Sequence, residues 1–109
     1  MGTHFQISPA ELGFVRTAVL SPELRVADVE FNCGALVDGL ARAADQGCRL
    51  ALFPELSLTG YSCGDLFYQA LLRERAVQAL RPLVEATTRY DIAAVVGVPL
   101  ESAGRLYNC

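Results

Sequence analysis

Lysine is absent: all nine cationic side chains among the 109 residues are arginines. Chemistry that needs a primary ammonium group therefore has no donor within this stretch. Charge of either sign is thin as well, at 19% of residues, below the ~25% usual for globular domains. The net charge of −3 comes with no basic stripe, which argues against a nucleic-acid partner, since phosphates need cations to neutralise them. The single histidine is His4, and Cys33, Cys48, Cys63 and Cys109 form no CxxC pair, so no metal site is expected. Reduced thiols are the expectation over disulfides, which fits a cytoplasmic protein. The longest apolar run, residues 92–100 (IAAVVGVPL), is about half of the ~20 residues that a helical membrane span requires. The opening MGTHFQISPAELGF has no basic segment followed by an apolar one and does not read as a signal peptide.

What is present is an apolar-rich chain, 52% hydrophobic, no longer than one ordinary domain. Residues 13–20 (GFVRTAVL) read as a strand, with β-branched and aromatic side chains between polar and proline-containing flanks. Val29, Cys33, Leu36, Leu40 and Ala44 then step by four, three, four and four, the spacing of one helix face over residues 28–46. Asp28 precedes that face as an N-cap and Gly47 follows it as a stop. Residues 49–53 (RLALF) predict a short strand buried on both faces. A second helical stretch covers 65–89, and Pro82 inside it predicts a kink or break near Leu80 and Arg81. Residues 92–100 predict a third strand, again buried on both faces. ESAG is a turn, and RLYNC begins an antiparallel return strand. Strands alternating with helices give an α/β fold with a largely parallel sheet. Three strands and a stub make that sheet too narrow to cover its own faces, so the chain is expected to be the first part of a larger domain.

Glu55 is the residue that this pattern does not absorb. It stands in LFPELSLTGY, directly behind a core strand and a proline. In α/β sheets, sites collect just outside the carboxyl ends of strands. Pro54 sets the exit angle, and the bulk of Leu56 and Leu58 is expected to dry the carboxylate, a condition that suits a general base. An ordinary capping or arginine-pairing role remains open beside it. Cys63 is a thiol farther along the same loop, either a nucleophile at a helix start or an inert buried side chain. Asn32 and Asn108 are readable as functional amides and equally as caps or turn residues.

FPELSLTGYSCGDLF resembles the first catalytic segment of the nitrilase superfamily, the carbon–nitrogen hydrolases. Taken with GFVR before it and VVGVPL and RLYN after it, residues 13–109 resemble the amino-terminal glutaminase domain of the glutamine-dependent NAD(+) synthetase family. The resemblance implies that residues 1–109 are the first part, incomplete at its carboxyl end, of a four-layer α-β-β-α sandwich. The helices at 28–46 and 65–89 would share one outer layer. It also implies a Glu-Lys-Cys triad that splits glutamine: the cysteine attacks the side-chain amide, the glutamate takes the thiol proton and later activates water, and the lysine stabilises the oxyanion. Glu55 matches the base, and Tyr61 matches a tyrosine of the glutamine pocket. The implied partners are glutamine, a carboxy-terminal synthetase domain of the same chain that uses ATP and Mg, and further copies in a homo-oligomer. No cofactor is implied within these residues. The chain departs from the pattern in having no lysine. The nucleophilic cysteine is also expected beyond this stretch, with Cys109 reading as a core or sheet side chain. Residues 1–109 are therefore expected to be inactive alone. A stand-alone amidase of the same superfamily, and a non-catalytic α/β interaction domain in which Glu55 is structural, are the competing readings.

Overall fold

The computed structural model describes residues 7–109, so His4 lies outside the described residues. Three short strands, β1 (Thr17–Val19), β2 (Leu50–Leu52) and β3 (Ala93–Val95), run parallel in the order β1-β2-β3. A helix α1 (Val29–Asp45) crosses between the first two. Two helices, α2 (Ala70–Gln78) and α3 (Leu80–Tyr90), cross between the second and third. A hairpin of β4 (Pro99–Ser102) and β5 (Arg105–Asn108) forms a separate antiparallel pair. This is the expected α/β order with a parallel sheet.

Local signals account for the ends of α1. The Asp28 side chain accepts from the Phe31 N–H at 3.1 Å, one of the helix-start donors with no intrahelical partner. Gly47 follows in the left-handed region at φ +81°. The stripe read from the sequence is the buried face: Val29, Cys33, Leu36 and Leu40 enter the core together with Leu83 and Ala86 of α3. Gly39 permits the close fit, since a Cβ there would lie 3.1 Å from both Leu20 and Phe53 at the strand ends.

Three expectations need correction. The stretch 65–89 is not α-helical from its start, while the break expected near Leu80 and Arg81 is present and falls at Ala79. The stretch is a 3-10 turn (Gly64–Tyr68), then α2, then the break, then α3. Pro82 sits in the first turn of α3, where backbone N–H groups have no intrahelical acceptor, so its missing donor costs little. The Cys33 thiol donates to the Ala79 carbonyl at this break, at 3.6 Å, and burial pushes that thiol's pKa up, which keeps it inert.

The run 92–100 is likewise not one strand. β3 stops at Val95, residues 96–98 leave the ladder, and Pro99 starts β4 in the hairpin. A proline has no ladder donor and is tolerated at the first residue of a strand.

The sheet is also not buried on both faces among the described residues. Ala18, Ala51 and Ala94 form one register row turned to the helices, their small size letting α1 and α3 come close. Val19, Leu52 and Val95 form the next row and stay exposed at 79%, 44% and 51%. No helix among the described residues is long and apolar enough to cross a membrane.

Candidate active site

Glu55 stands where the sequence places it, just past the carboxyl end of the central strand β2. Phe53 is buried, and its N–H donates to the Val95 carbonyl at 3.0 Å, continuing the sheet by one residue. The chain then turns through residues 54–60. Every residue from Leu56 to Gly60 is buried, while Glu55 is exposed. Leu56 and Leu58 therefore do not dry the carboxylate, contrary to expectation. Their side chains go to the interior and anchor the loop beneath it.

The loop is held on three sides. Within itself, the Leu56 carbonyl accepts from the Gly60 N–H at 2.8 Å and from the Thr59 N–H at 3.2 Å. These bonds hold Leu56 at φ +52°, a left-handed conformation that costs a non-glycine residue about 1–2 kcal/mol. On the sheet side, the Gly97 N–H donates to Ser57 Oγ at 3.1 Å and the Leu58 N–H donates to the Gly97 carbonyl at 3.2 Å.

On the helix side, Asn32 is fully buried and acts as a clasp. Its amide donates to the carbonyls of Arg25 at 2.8 Å and Leu58 at 3.1 Å, while its Oδ1 accepts from the Arg25 N–H at 2.7 Å. The Ala27 N–H closes the ring by donating to the Thr59 carbonyl at 2.7 Å. Asn32 is thus neither cap nor turn residue. Asn32→Ala should lower the unfolding free energy by about 2–4 kcal/mol in urea denaturation, because three bonds go and buried backbone groups lose their partners. A loss below about 0.5 kcal/mol would mean that the clasp does not hold the loop.

The remaining sequence candidates separate clearly. Cys63 is buried, and its thiol donates to the Thr59 and Gly60 carbonyls at 3.1 and 3.4 Å, so it is part of the loop's scaffold. Tyr61 is 68% exposed and makes no side-chain hydrogen bond among the described residues. Cys109 occupies a sheet position, as expected, with its N–H and carbonyl both paired to Val98, but it is exposed rather than buried. Asn108 of β5 donates its side-chain amide to Glu55 Oε1. A groove of about 880 Å3 between α1 and α2 lies on the helical side and includes neither Glu55 nor Tyr61. Among the described residues the site is therefore one wall: an exposed carboxylate on a rigid loop, with an amide attached.

Residues 15–109 match the family model of the carbon-nitrogen hydrolases. The chain belongs to this family. Among curated carbon-nitrogen hydrolase relatives, the glutamine-dependent NAD(+) synthetase of Mycobacterium tuberculosis is 36% identical over 96 residues, covering 88% of this chain. The chain spans only 14% of that relative's length. Among solved structures, the glutamine-dependent NAD(+) synthetase from Cytophaga hutchinsonii superposes with a TM-score of 0.75 at 29% identity, over 87% of this chain and 16% of that one. An amidase from Nesterenkonia sp. superposes at 0.72 with 30% identity, over 81% of this chain and 33% of the amidase. A form of that amidase with a glutamate-to-glutamine and a cysteine-to-alanine change is solved in complex with acrylamide. These likenesses place the chain's parallel sheet and its covering helices on the family's fold.

Proposed function

We propose that this segment supplies the general base of a glutamine-hydrolysing carbon–nitrogen hydrolase, whose ammonia serves ATP-dependent amidation of nicotinic acid adenine dinucleotide to NAD(+). The observation that carries the reading is Glu55 itself. It is exposed at the end of β2 on a loop whose backbone is fastened to both neighbouring layers. A general base needs a fixed position and a free oxygen, and this arrangement supplies both. In the reaction, a cysteine thiol passes its proton to the Glu55 carboxylate, and the thiolate attacks the amide carbon of glutamine. Glu55 returns that proton to the nitrogen as ammonia leaves, then takes a proton from the water that hydrolyses the thioester to glutamate, and finally gives it back to the departing thiolate. With no lysine in the chain and its thiols either buried or at the sheet edge, the oxyanion stabiliser and the nucleophile come from elsewhere in the native polypeptide. Tyr61, with its ring in solvent, is available to the glutamine pocket.

Mg-ATP is assigned no site within residues 1–109. That chemistry belongs to the synthetase part of the polypeptide, and homo-oligomerisation and a cytoplasmic location complete the reading. Likeness to the Nesterenkonia amidase supports a second reading, a stand-alone amidase. Ammonia release decides between them. The native polypeptide that carries these residues should release ammonia from glutamine and form NAD(+) when given ATP and the dinucleotide acid. Residues 1–109 alone should release none above background. Preference for short aliphatic amides over glutamine would favour the amidase. Turnover by residues 1–109 at the rate of the native polypeptide would overturn the assignment of the missing groups.

A further inference from the structure

The Glu55 carboxylate has no arginine partner. The ion pairs among the described residues are Arg49–Asp91, Arg73–Glu101 and Arg81–Glu85. Its side-chain partner is the neutral amide of Asn108, contributed by a strand 53 positions farther along the chain. Asn108 lies within β5, opposite Pro99 in the ladder, and the hairpin turn is made by Ala103 and Gly104 instead. A cap or turn role therefore does not explain it. Asparagine is also a poor strand former, and its exposed position gives no packing return for choosing it over a β-branched residue. Among the described residues, bonding Glu55 is the only side-chain hydrogen bond it makes.

We infer that Asn108 is the positioning residue for Glu55, an inference that rests on reading Glu55 as the base. The amide holds Oε1 and leaves Oε2 free to receive the thiol proton. A neutral donor does this without the cost of an ion pair: an arginine in its place would favour the charged carboxylate and oppose proton uptake. The hairpin makes the hold rigid. Val98 and Cys109 exchange backbone hydrogen bonds at 2.9 and 3.0 Å directly beside Asn108. The Arg73–Glu101 ion pair ties β4 to α2. Val98 also follows Gly97, which fastens the Glu55 loop from beneath. One hairpin thus fixes the base twice, at its backbone through Gly97 and at its carboxylate through Asn108.

The test uses the native polypeptide and five variants, Asn108→Ala, Asn108→Asp, Asn108→Gln, Glu55→Gln and Glu55→Ala. Asn108→Asp keeps the size and the strand pairing but at neutral pH offers no donor and sets a like charge against the carboxylate. Both Asn108→Ala and Asn108→Asp should lose roughly 10- to 100-fold in kcat for ammonia release. Their KM for glutamine should stay within about twofold and their melting temperature should not change, a split that a merely structural residue does not produce. Asn108→Gln, which keeps an amide donor, should recover part of the kcat. A second readout needs no turnover: the side-chain amide signals of Asn108 in a 15N spectrum should move on Glu55→Ala, while those of Asn32, held by Arg25 and Leu58, should not. If Glu55→Gln abolishes activity but Asn108→Ala and Asn108→Asp keep kcat within twofold, the positioning role is wrong and the base assignment stands. If Glu55→Gln leaves activity intact, both fall.

Discussion

Gly97→Ala is expected to lower the unfolding free energy by at least about 3 kcal/mol, at the upper end of what overpacking costs. A Cβ at residue 97 would lie 2.1 Å from the Leu56 nitrogen and 2.8 Å from the Glu55 carbonyl carbon. Both are backbone atoms, so no side chain can swing aside to make room. The loop must lift, and lifting it breaks the hydrogen bonds of Gly97 to Ser57 and Leu58. The same displacement carries Glu55 away from Asn108, so activity in the native polypeptide should fall along with stability. Urea denaturation measures the first effect and ammonia release the second. Gly34→Ala is the control: its Cβ meets nothing within 4 Å, and it should stabilise α1 by up to about 1 kcal/mol through helix propensity. Equal midpoints for Gly97→Ala and the wild type would show that the loop does not pack on residue 97 in solution.

Glu55→Gln should have the opposite profile, a large effect on rate with almost none on stability. The amide is the same size as the carboxylate but cannot take the thiol proton, and removing a general base costs about 10²- to 10⁴-fold in rate. Because the side chain is exposed and the loop is held by backbone bonds and by Ser57, Thr59 and Asn32, the unfolding free energy should stay within about 0.5 kcal/mol of wild type. Retained ammonia release in this variant would remove the base assignment and the proposed function with it. Loss of activity accompanied by an equally large loss of stability would place Glu55 in the scaffold instead.

The contrast between these two variants reflects two kinds of information in the chain. The position of Glu55 was legible because its signal is local: an apolar run, a proline and an acid in succession say that a strand ends and a carboxylate emerges. Asp28 and Gly47 announced the ends of α1 for the same reason, since caps act on donors and acceptors a few residues away. The break before α3 was readable only to within a residue or two. Proline marks a discontinuity without saying on which side of it the helix stops.

Gly97 left a usable trace, a glycine inside an apolar run, which signals a bulge or a close backbone approach. Hydrophobicity alone makes the run look like one strand, because it cannot show that its two halves pair in different sheets.

By itself, then, the sequence determined the alternation of strands and helices, the buried stripe of α1, the family, and the carboxylate at the end of β2. Each of these depends on side chains close together along the chain or on a contiguous motif. Tertiary structure alone decided that Asn32 is a clasp, that Leu56 and Leu58 turn inward, that Gly97 bears the loop, and that an amide 53 positions away holds Glu55. Those contacts join segments distant in sequence. Their partners are chosen by strand register and packing, to which an asparagine or a leucine contributes only after the fold has brought its neighbour within reach.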